Sequence, residues 1–243
     1  MVDIAEDAPP RSVWGVHETW EARKENVMKI TFLGHAGFIF DSEVRVIIDP
    51  FLTGNPLAGM DLSAVDTADI VLVTHAHPDH LGDAYAIVKK TGATLVSTHD
   101  VAVSGEIQGE GMNFGGTMTV HGIPITMVKA DHAVGLSDAA GFVWVQEGKV
   151  IYHMGDTSLF SDLKLIGELY KPDLLLVPIG DRYTMNPQTA SMATSWIKPK
   201  AAVPMHYKTF PFLVQDPAIF KDLCEMSGET RVIILQPGQS IEF

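Results

Sequence analysis

Cysteine is almost absent from this chain: Cys224 is the only one in 243 residues. A lone cysteine excludes an internal disulfide framework, and we expect Cys224 to be a packing residue in a protein of the reducing cytoplasm. No apolar run approaches the roughly 20 residues that a membrane-spanning helix needs. The first ten residues carry acidic side chains and no basic one, so they lack the basic region that opens a secretory signal.

Basic residues are also scarce. Lys and Arg number 17 against 30 Asp and Glu, which gives a formal net charge of −13. Binding to nucleic acid or to an anionic membrane needs clustered Lys and Arg, and the densest basic positions here are pairs such as Lys89-Lys90. The charge disfavours, without excluding, a nucleic-acid substrate. We therefore expect a small-molecule substrate and neither nucleic acid nor a membrane as partner.

The sequence does contain a histidine-rich heptapeptide, Thr74-His75-Ala76-His77-Pro78-Asp79-His80. It directly follows the apolar run 70–73, which predicts a short buried strand. Imidazole nitrogen and carboxylate oxygen are the ligands that Zn²⁺ and similar ions take in proteins. Three imidazoles and a carboxylate in so short a stretch therefore predict a metal site at the end of a strand.

The spacing within the heptapeptide indicates how its ligands divide between two metal ions. Side chains two residues apart share a face of an extended chain, so His75 and His77 can bind one ion. The chain turns at Pro78, and Asp79 and His80 can then face a second ion. A helix is expected to begin just beyond them, near residue 81.

The heptapeptide resembles the H-x-H-x-D-H signature of the metallo-β-lactamase superfamily of hydrolases. Within that superfamily the chain is most similar to small metal-dependent hydrolases related to L-ascorbate-6-phosphate lactonase. The likeness covers about residues 28–243. Besides the heptapeptide, the segments that carry it are Lys29–Phe38, Asp49–Leu52, Asp131-His132, Gly155–Thr157, Ile179–Met185 and Met205–Tyr207.

The resemblance implies an α/β (α+β) fold, the four-layer αβ/βα metallo-β-lactamase-type sandwich, with metals at the sheet edges. The predicted elements agree with two packed sheets covered by helices. We expect one hydrolase domain over residues 28–243, preceded by an N-terminal arm or extension over residues 1–27. The predicted elements include strands over 117–120, 140–146 and 231–235, helices over 99–108, 159–170 and 187–197, and a glycine-rich connection over 109–116.

The resemblance also implies the ligand set and two divalent metal ions, with zinc expected first and manganese or iron as alternatives. Asp156 would bridge the two ions, because its two oxygens can each bind one. The other metal ligands are His75, His77 and His132 at the first site, and Asp79, His80 and His206 at the second.

Three further residues are candidates for chemistry near the metals. Asp79 is expected to steer the proton of an attacking water. His35 is expected to orient a ligand or touch substrate, with a turn-capping histidine as the alternative. Arg182 is expected to bind the anionic group of a substrate. Lys208 could do the same, but a structural or solvated role suits it equally well. Asp49 is expected to support a metal-binding loop rather than to do chemistry, and His153, which matches no motif, is expected to be structural.

The expected function is metal-assisted hydrolysis of a small ester-type substrate, such as a lactone or a phosphoester, with thioesters left open. The alternative on the same fold is a mononuclear iron dioxygenase of the persulfide type, using His75, His132 and Asp156. A non-catalytic binding protein is disfavoured because no ligand type is missing. A homo-oligomer is left open.

Overall fold

The computed structural model describes residues 27–105, 107, 109–228 and 230–243. The predicted N-terminal arm therefore lies outside the described residues, apart from Val27. In the described part of the chain, no helix has the length and apolar character needed to cross a membrane.

The strands are short and mostly buried, as the apolar runs in the sequence predict. Their bounds are β1 (Lys29–Gly34), β2 (Gly37–Asp41), β3 (Val46–Ile48), β4 (Ile70–Leu72), β5 (Thr94–Thr98), β6 (Glu110–Met112), β7 (Thr117–Val120), β8 (Ile123–Lys129), β9 (Ala140–Gln146), β10 (Lys149–His153), β11 (Leu174–Pro178), β12 (Ala201–Met205), β13 (Arg231–Val232) and β14 (Ser240–Glu242).

The helices are α1 (Pro78–Leu81), α2 (Ala84–Thr91), α3 (His99–Ser104), α4 (Leu163–Tyr170), α5 (Pro187–Ile197) and α6 (Ala218–Ser227). The sequence predicts α5 residue for residue, because its start is marked twice. Asn186 caps the helix by accepting a hydrogen bond from the Thr189 N–H, and Pro187 occupies the first turn. Proline is favoured there, since its missing N–H would have no partner within the helix.

The strands form two seven-stranded sheets, in the orders β14-β1-β2-β3-β4-β5-β6 and β13-β12-β11-β10-β9-β8-β7. In the first sheet, three antiparallel pairings from β14 to β3 are followed by three parallel pairings from β3 to β6. The second sheet repeats this succession from β7 to β13. The two halves thus share one topology, although the sequence shows no internal repeat.

The main core lies between the two sheets, where Phe40 meets Trp144 edge-on and Phe38 lies beside Phe40. A second core joins one sheet to α4, α5 and α6 and includes Cys224, and a third joins the other sheet to α2 and α3. Apolar faces on both sides of each sheet require such cover. The predicted four-layer αβ/βα sandwich is confirmed.

Several element boundaries differ from the prediction. The helix expected near residue 81 begins at Pro78, so Asp79 and His80 lie within its single turn. The glycine-rich connection contains the strand β6, which pairs with β5. The helices predicted over 99–108 and 159–170 are shorter, and the last predicted strand ends at Val232. The sequence missed β14, whose three residues are stabilised by pairing with β1 rather than by a local apolar run.

Candidate metal centre

The heptapeptide leaves β4 and passes directly into the one-turn helix α1. His77 has extended backbone angles, φ −63° and ψ 144°, and Pro78 occupies the first helical position. The change from extended to helical backbone at His77 separates the ligands into an extended pair, His75 and His77, and a helical pair, Asp79 and His80. The two-way division expected from the spacing is therefore produced by a helix start at Pro78.

The first cluster consists of three imidazoles. Nδ1 of His77 lies 3.0 Å from Nε2 of His75 and 3.2 Å from Nε2 of His132. One ring nitrogen from each of the three residues lies within 4.8 Å of the other two. His132 reaches this position from the loop after β8, in the other half of the chain.

The second cluster contains four side chains, two from helix α1 and one each from the loops after β1 and β12. Ligand atoms of His35, Asp79, His80 and His206 all lie within 4.8 Å of one another. Nε2 of His35 is 3.0 Å from Oδ2 of Asp79, and Nε2 of His206 is 3.9 Å from the same oxygen. His35, which the sequence predicts to be a catalytic or orienting residue, thus lies beside the predicted ligands of the second metal ion.

Asp156 lies between the two clusters. Its Oδ1 is 3.3 Å from Nε2 of His80, and its Oδ2 is 3.1 Å from Nε2 of His206 and 3.7 Å from Nε2 of His132. The carboxylate therefore reaches side chains from both groups. All seven predicted ligand residues are brought together around it.

The side chains fit divalent metal ions. Nε2 of His80 and Oδ1 of Asp156 are buried and have no hydrogen-bond partner, although they face each other. Buried polar atoms without partners are costly and rare, and a divalent cation bound between these two would satisfy both of them. Imidazole nitrogens with carboxylate oxygens suit Zn²⁺, Mn²⁺ and Fe²⁺.

Burial and neighbouring charges set the protonation of the cluster. Burial, together with nearby His80, lowers the pKa of His75 to about 2, so its imidazole is neutral. Burial disfavours the charged form of Asp156, but His206 and His80 outweigh it and hold the pKa of Asp156 well below its usual value. Burial also opposes a charge on His80, yet Asp156 and Asp49 raise its pKa well above the ordinary value. Binding of a metal ion at Nε2 of His80 is therefore expected to release a proton.

His35 is held in an unusual backbone conformation, with φ 57°. Its carbonyl accepts a hydrogen bond from the N–H of His206 at 2.6 Å. Burial and nearby His206 lower the pKa of His35 to about 4, so the ring is neutral near pH 7. The ring then donates from Nε2 to Asp79 and accepts at Nδ1 from the hydroxyl of Thr209, at 2.9 Å.

Two residues outside the ligand set, Asp49 and Thr74, contact His80 and His75. The hydroxyl of Thr74 lies 3.0 Å from Nδ1 of His75. Asp49, which the sequence suggested as a support for the metal-binding loop, accepts hydrogen bonds from the backbone N–H and the hydroxyl of Thr74. It also accepts one from Nδ1 of His80, so Nε2 of His80 faces Asp156. Sequence reasoning did not single out Thr74, whose position at the head of the heptapeptide was the available signal.

His153, expected to be structural, connects the loops of the two halves. It is fully buried, its Nε2 donates to the carbonyl of Ala36 at 2.9 Å, and its Nδ1 accepts from the N–H of Gly155 at 3.1 Å. The loop that carries His35 is thereby joined to the loop that carries Asp156.

Gly180 allows the loop after β11 to approach His206 closely. A Cβ atom at Gly180 would lie 2.2 Å from the carbonyl oxygen of His206 and 2.8 Å from its Nδ1. No side chain fits this space without a shift. Sequence reasoning quoted this glycine only as part of a motif and missed its role.

The predicted substrate-binding residues lie outside the ligand clusters. Arg182 and Lys208 are both exposed. The guanidinium of Arg182 lies over the rings of Phe212 and Tyr183, at 5.2 and 5.6 Å from their centroids. In the part of the chain that the structure describes, no ion pair joins Arg182 to the ligand carboxylates.

Fold and site together define a metal-binding protein of the αβ/βα sandwich class. A family model described as a beta-lactamase superfamily domain matches residues 29–206, and the chain belongs to this superfamily. The family predicted from the heptapeptide and the later motifs is confirmed.

Relatives with high sequence identity narrow the assignment from a superfamily to a class of enzyme. A UPF0173 metal-dependent hydrolase of Pelotomaculum thermopropionicum is 46% identical, over 88% of this chain and 100% of the relative. One from Methanopyrus kandleri is 48% identical, with the same coverage of both chains. The solved structure of Igni18, a metallo hydrolase from Ignicoccus hospitalis, has a TM-score of 0.84 and 38% identity, over 89% of this chain and 98% of that chain. The chain is thus a metal-dependent hydrolase of this superfamily.

Proposed function

We propose that this protein hydrolyses a small ester-type substrate, a lactone or a phosphoester, at a dinuclear metal centre. The observation that carries the proposal is the position of Asp156, whose two oxygens lie 3.1 to 3.7 Å from His80, His206 and His132. A carboxylate placed between two nitrogen clusters suits a bridging ligand.

Each ion would take three protein side chains and share the carboxylate of Asp156. His35 is not counted among the ligands of the second ion, because its two ring nitrogens are engaged by Asp79 and Thr209. His75, His77 and His132 would hold one ion, and Asp79, His80 and His206 the other, with zinc as the first expectation. When bound, such ions lower the pKa of a coordinated water and polarise the bond under attack.

Asp79 is the ligand best placed to handle the proton of the attacking water. Its side chain is 30% exposed, whereas those of His80, Asp156 and His206 are almost fully buried. Burial alone would favour the neutral acid, but the hydrogen bond from His35 and the charge of His80 keep its pKa below the usual value. Asp79 is therefore a carboxylate at neutral pH and can accept a hydrogen bond from the attacking water, which would steer the proton of that water.

His35 would act by positioning Asp79 rather than by touching substrate. Its side chain is fully buried, and both ring nitrogens are engaged, with Asp79 and with Thr209. Because the hydrogen bond from His35 fixes one oxygen of the Asp79 carboxylate, the orientation of the other oxygen is also defined. A catalytic carboxylate with a fixed orientation loses less entropy when the substrate binds.

Arg182 would pair with an anionic group of the substrate. A guanidinium offers several N–H donors in one plane, which matches a carboxylate or phosphate. Its exposure leaves that plane open to solvent.

The test is a set of initial rates on matched lactones, phosphodiesters and thioesters after the purified protein has been reloaded with zinc. His77→Ala serves as the blank, and metal content is measured for each sample. We expect two equivalents of metal in the wild type and turnover of a lactone or phosphoester that His77→Ala abolishes. Asp156→Ala should lose at least one equivalent and nearly all turnover.

Three results would contradict the proposal. Full activity in Asp156→Ala would contradict the bridging role of this residue. A single tightly bound equivalent of metal in the active wild type would contradict a dinuclear centre. Oxygen uptake with a persulfide, and no hydrolysis of any ester, would replace hydrolysis by the dioxygenase reaction.

A further inference from the structure

A series of aromatic rings leads from the metal centre to the surface. The ring of Phe210 lies edge-on to His35, with centroids 5.8 Å apart. Phe212 stacks on Phe210 at 5.5 Å with an interplanar angle of 13°, and Tyr183 meets Phe212 edge-on at 5.9 Å. Because His35 contacts Asp79 directly, the series starts at the second ligand cluster.

The outer rings of this series are unusually exposed. Phe212 is 48% exposed and Tyr183 is 54% exposed. An exposed ring gains little from the hydrophobic effect in the folded chain, and neighbouring exposed rings are typical of binding surfaces. The exposed faces therefore need an explanation other than the stability of the fold.

The loop that carries Phe210 and Phe212 is held firmly by other residues. Leu213 is only 4% exposed and anchors the loop in the interior. The N–H of Lys208 donates to the carbonyl of Val214 at 2.8 Å, and the N–H of Val214 donates to the carbonyl of Gly180 at 3.1 Å. The rings are thus positioned by the backbone. Such preorganisation lowers the entropy cost of binding a ligand.

Arg182 completes this surface with a charge. Its guanidinium lies over the ring of Phe212, and among the described residues it takes part in no salt bridge. Stacking occupies the face of the guanidinium and leaves its in-plane N–H groups available to an anion.

We propose that Arg182, Tyr183, Phe210 and Phe212 form a recognition wall for a substrate that carries a flat apolar group beside an anionic group. The flat group packs against Phe212 and Phe210, and the anion pairs with the edge of Arg182. This inference rests on the proposed function, because it gives the substrate class of the same site. It excludes very small aliphatic esters as the preferred substrates.

The test compares two non-hydrolysable probes, phenylphosphonate and methylphosphonate, which share the anion and differ in the flat group. Their affinities for the zinc-loaded protein are measured by calorimetry, so the result does not depend on turnover. We expect the wild type to prefer phenylphosphonate by roughly threefold to tenfold, the range of an aromatic contact. Phe212→Ala should abolish this preference, and Arg182→Gln should weaken both probes by a similar factor.

Phe114→Ala and Arg231→Gln are the matched controls, since they remove an exposed phenylalanine and an exposed arginine elsewhere. Both should bind the probes like the wild type. If Phe212→Ala does not fold, Phe212→Leu keeps an apolar side chain and should still lose most of the preference.

Equal binding of both probes by the wild type, or an unchanged preference in Phe212→Ala, would contradict the proposed recognition wall. Failure of the hydrolysis test with a preserved probe preference would instead overturn only the reaction. With an active aromatic ester, Phe212→Ala should raise KM and leave kcat nearly unchanged.

Discussion

The carboxylate of Asp49 lies 2.7 Å from Nδ1 of His80, and both side chains are completely inaccessible to solvent. This contact fixes the imidazole so that Nε2, its other nitrogen, faces Asp156. Carboxylates that orient a metal-binding histidine in this way raise the basicity of the ligand and set its tautomer. The orientation of His80 is therefore decided by a residue far from it in the sequence.

Replacing Asp49 with asparagine should weaken metal binding without emptying the site. The shape of the side chain is kept, but the negative charge beside His80 is lost. We expect the affinity for zinc to fall by roughly 10- to 100-fold, as for other partners of metal-binding histidines. Competition with a chelator measures this, and Asp66→Asn, which changes an exposed acid, is the control. Unchanged zinc affinity in Asp49→Asn would show that the contact has no effect on the metal.

Gly180→Ala should disturb the second ligand cluster, although Gly180 is not itself one of the ligands. The new methyl group would collide with the backbone of His206, so either the loop or His206 must move. Overpacking of this kind costs about 1–3 kcal/mol of the free energy of unfolding. We expect a lower melting temperature and loss of about one equivalent of metal. Gly135→Ala is the control, because a Cβ atom at Gly135 meets nothing within 4 Å. Wild-type metal content in Gly180→Ala would refute the prediction.

His153→Gln should make the unfolding free energy less dependent on pH. Burial lowers the pKa of His153 below the 6.5 of the unfolded chain. Below pH 6.5 the unfolded state therefore binds more protons, and stability is lost as the pH falls. One such group contributes at most about 1.4 kcal/mol per pH unit.

The measurement is urea unfolding of the metal-free protein at pH 7 and pH 5. The loss of stability between these values should be smaller in His153→Gln than in the wild type. His121→Gln, a change at an exposed histidine, should behave like the wild type. Equal losses in all three proteins would mean that His153 does not couple folding to pH.

Zinc binding at neutral pH should release protons. Asp156 and Asp49 outweigh burial and keep the pKa of His80 well above its usual value, whereas a metal ligand must be neutral. We expect at least one proton per protein, measured by calorimetry in buffers of different ionisation enthalpy. His80→Gln should release about one proton fewer. No proton release in the wild type would mean that His80 is not displaced from its proton by the ion.

Removing the metal should destabilise the fold. Zinc at 100 times its dissociation constant adds about 2.7 kcal/mol to the free energy of unfolding, provided that it binds only the folded state. We expect chelation to lower the melting temperature of the wild type and to have little effect on Asp156→Ala. An equal drop in both proteins would contradict a metal site that depends on Asp156.

The sequence by itself determined the elements whose signals are local. The capped helix from Pro187 to Ile197 and the strands Thr117–Val120 and Ala140–Gln146 have the predicted bounds. The heptapeptide also determined its own ligand chemistry, because its imidazoles and carboxylate are neighbours in the chain. The family likeness then supplied the order of the later predicted ligands.

Only the tertiary structure decided which side chains meet. His132, Asp156 and His206 join the heptapeptide because the loops after β8, β10 and β12 converge on it, and no local pattern encodes that convergence. The pairing of β14 with β1 likewise stabilises a strand that has no local signal. The partners of Asp49 and His153, the close approach of Gly180 and the stacking of Phe210 with Phe212 are also contacts between distant parts of the chain. Their energies depend on burial and distance, which exist only once the chain has folded.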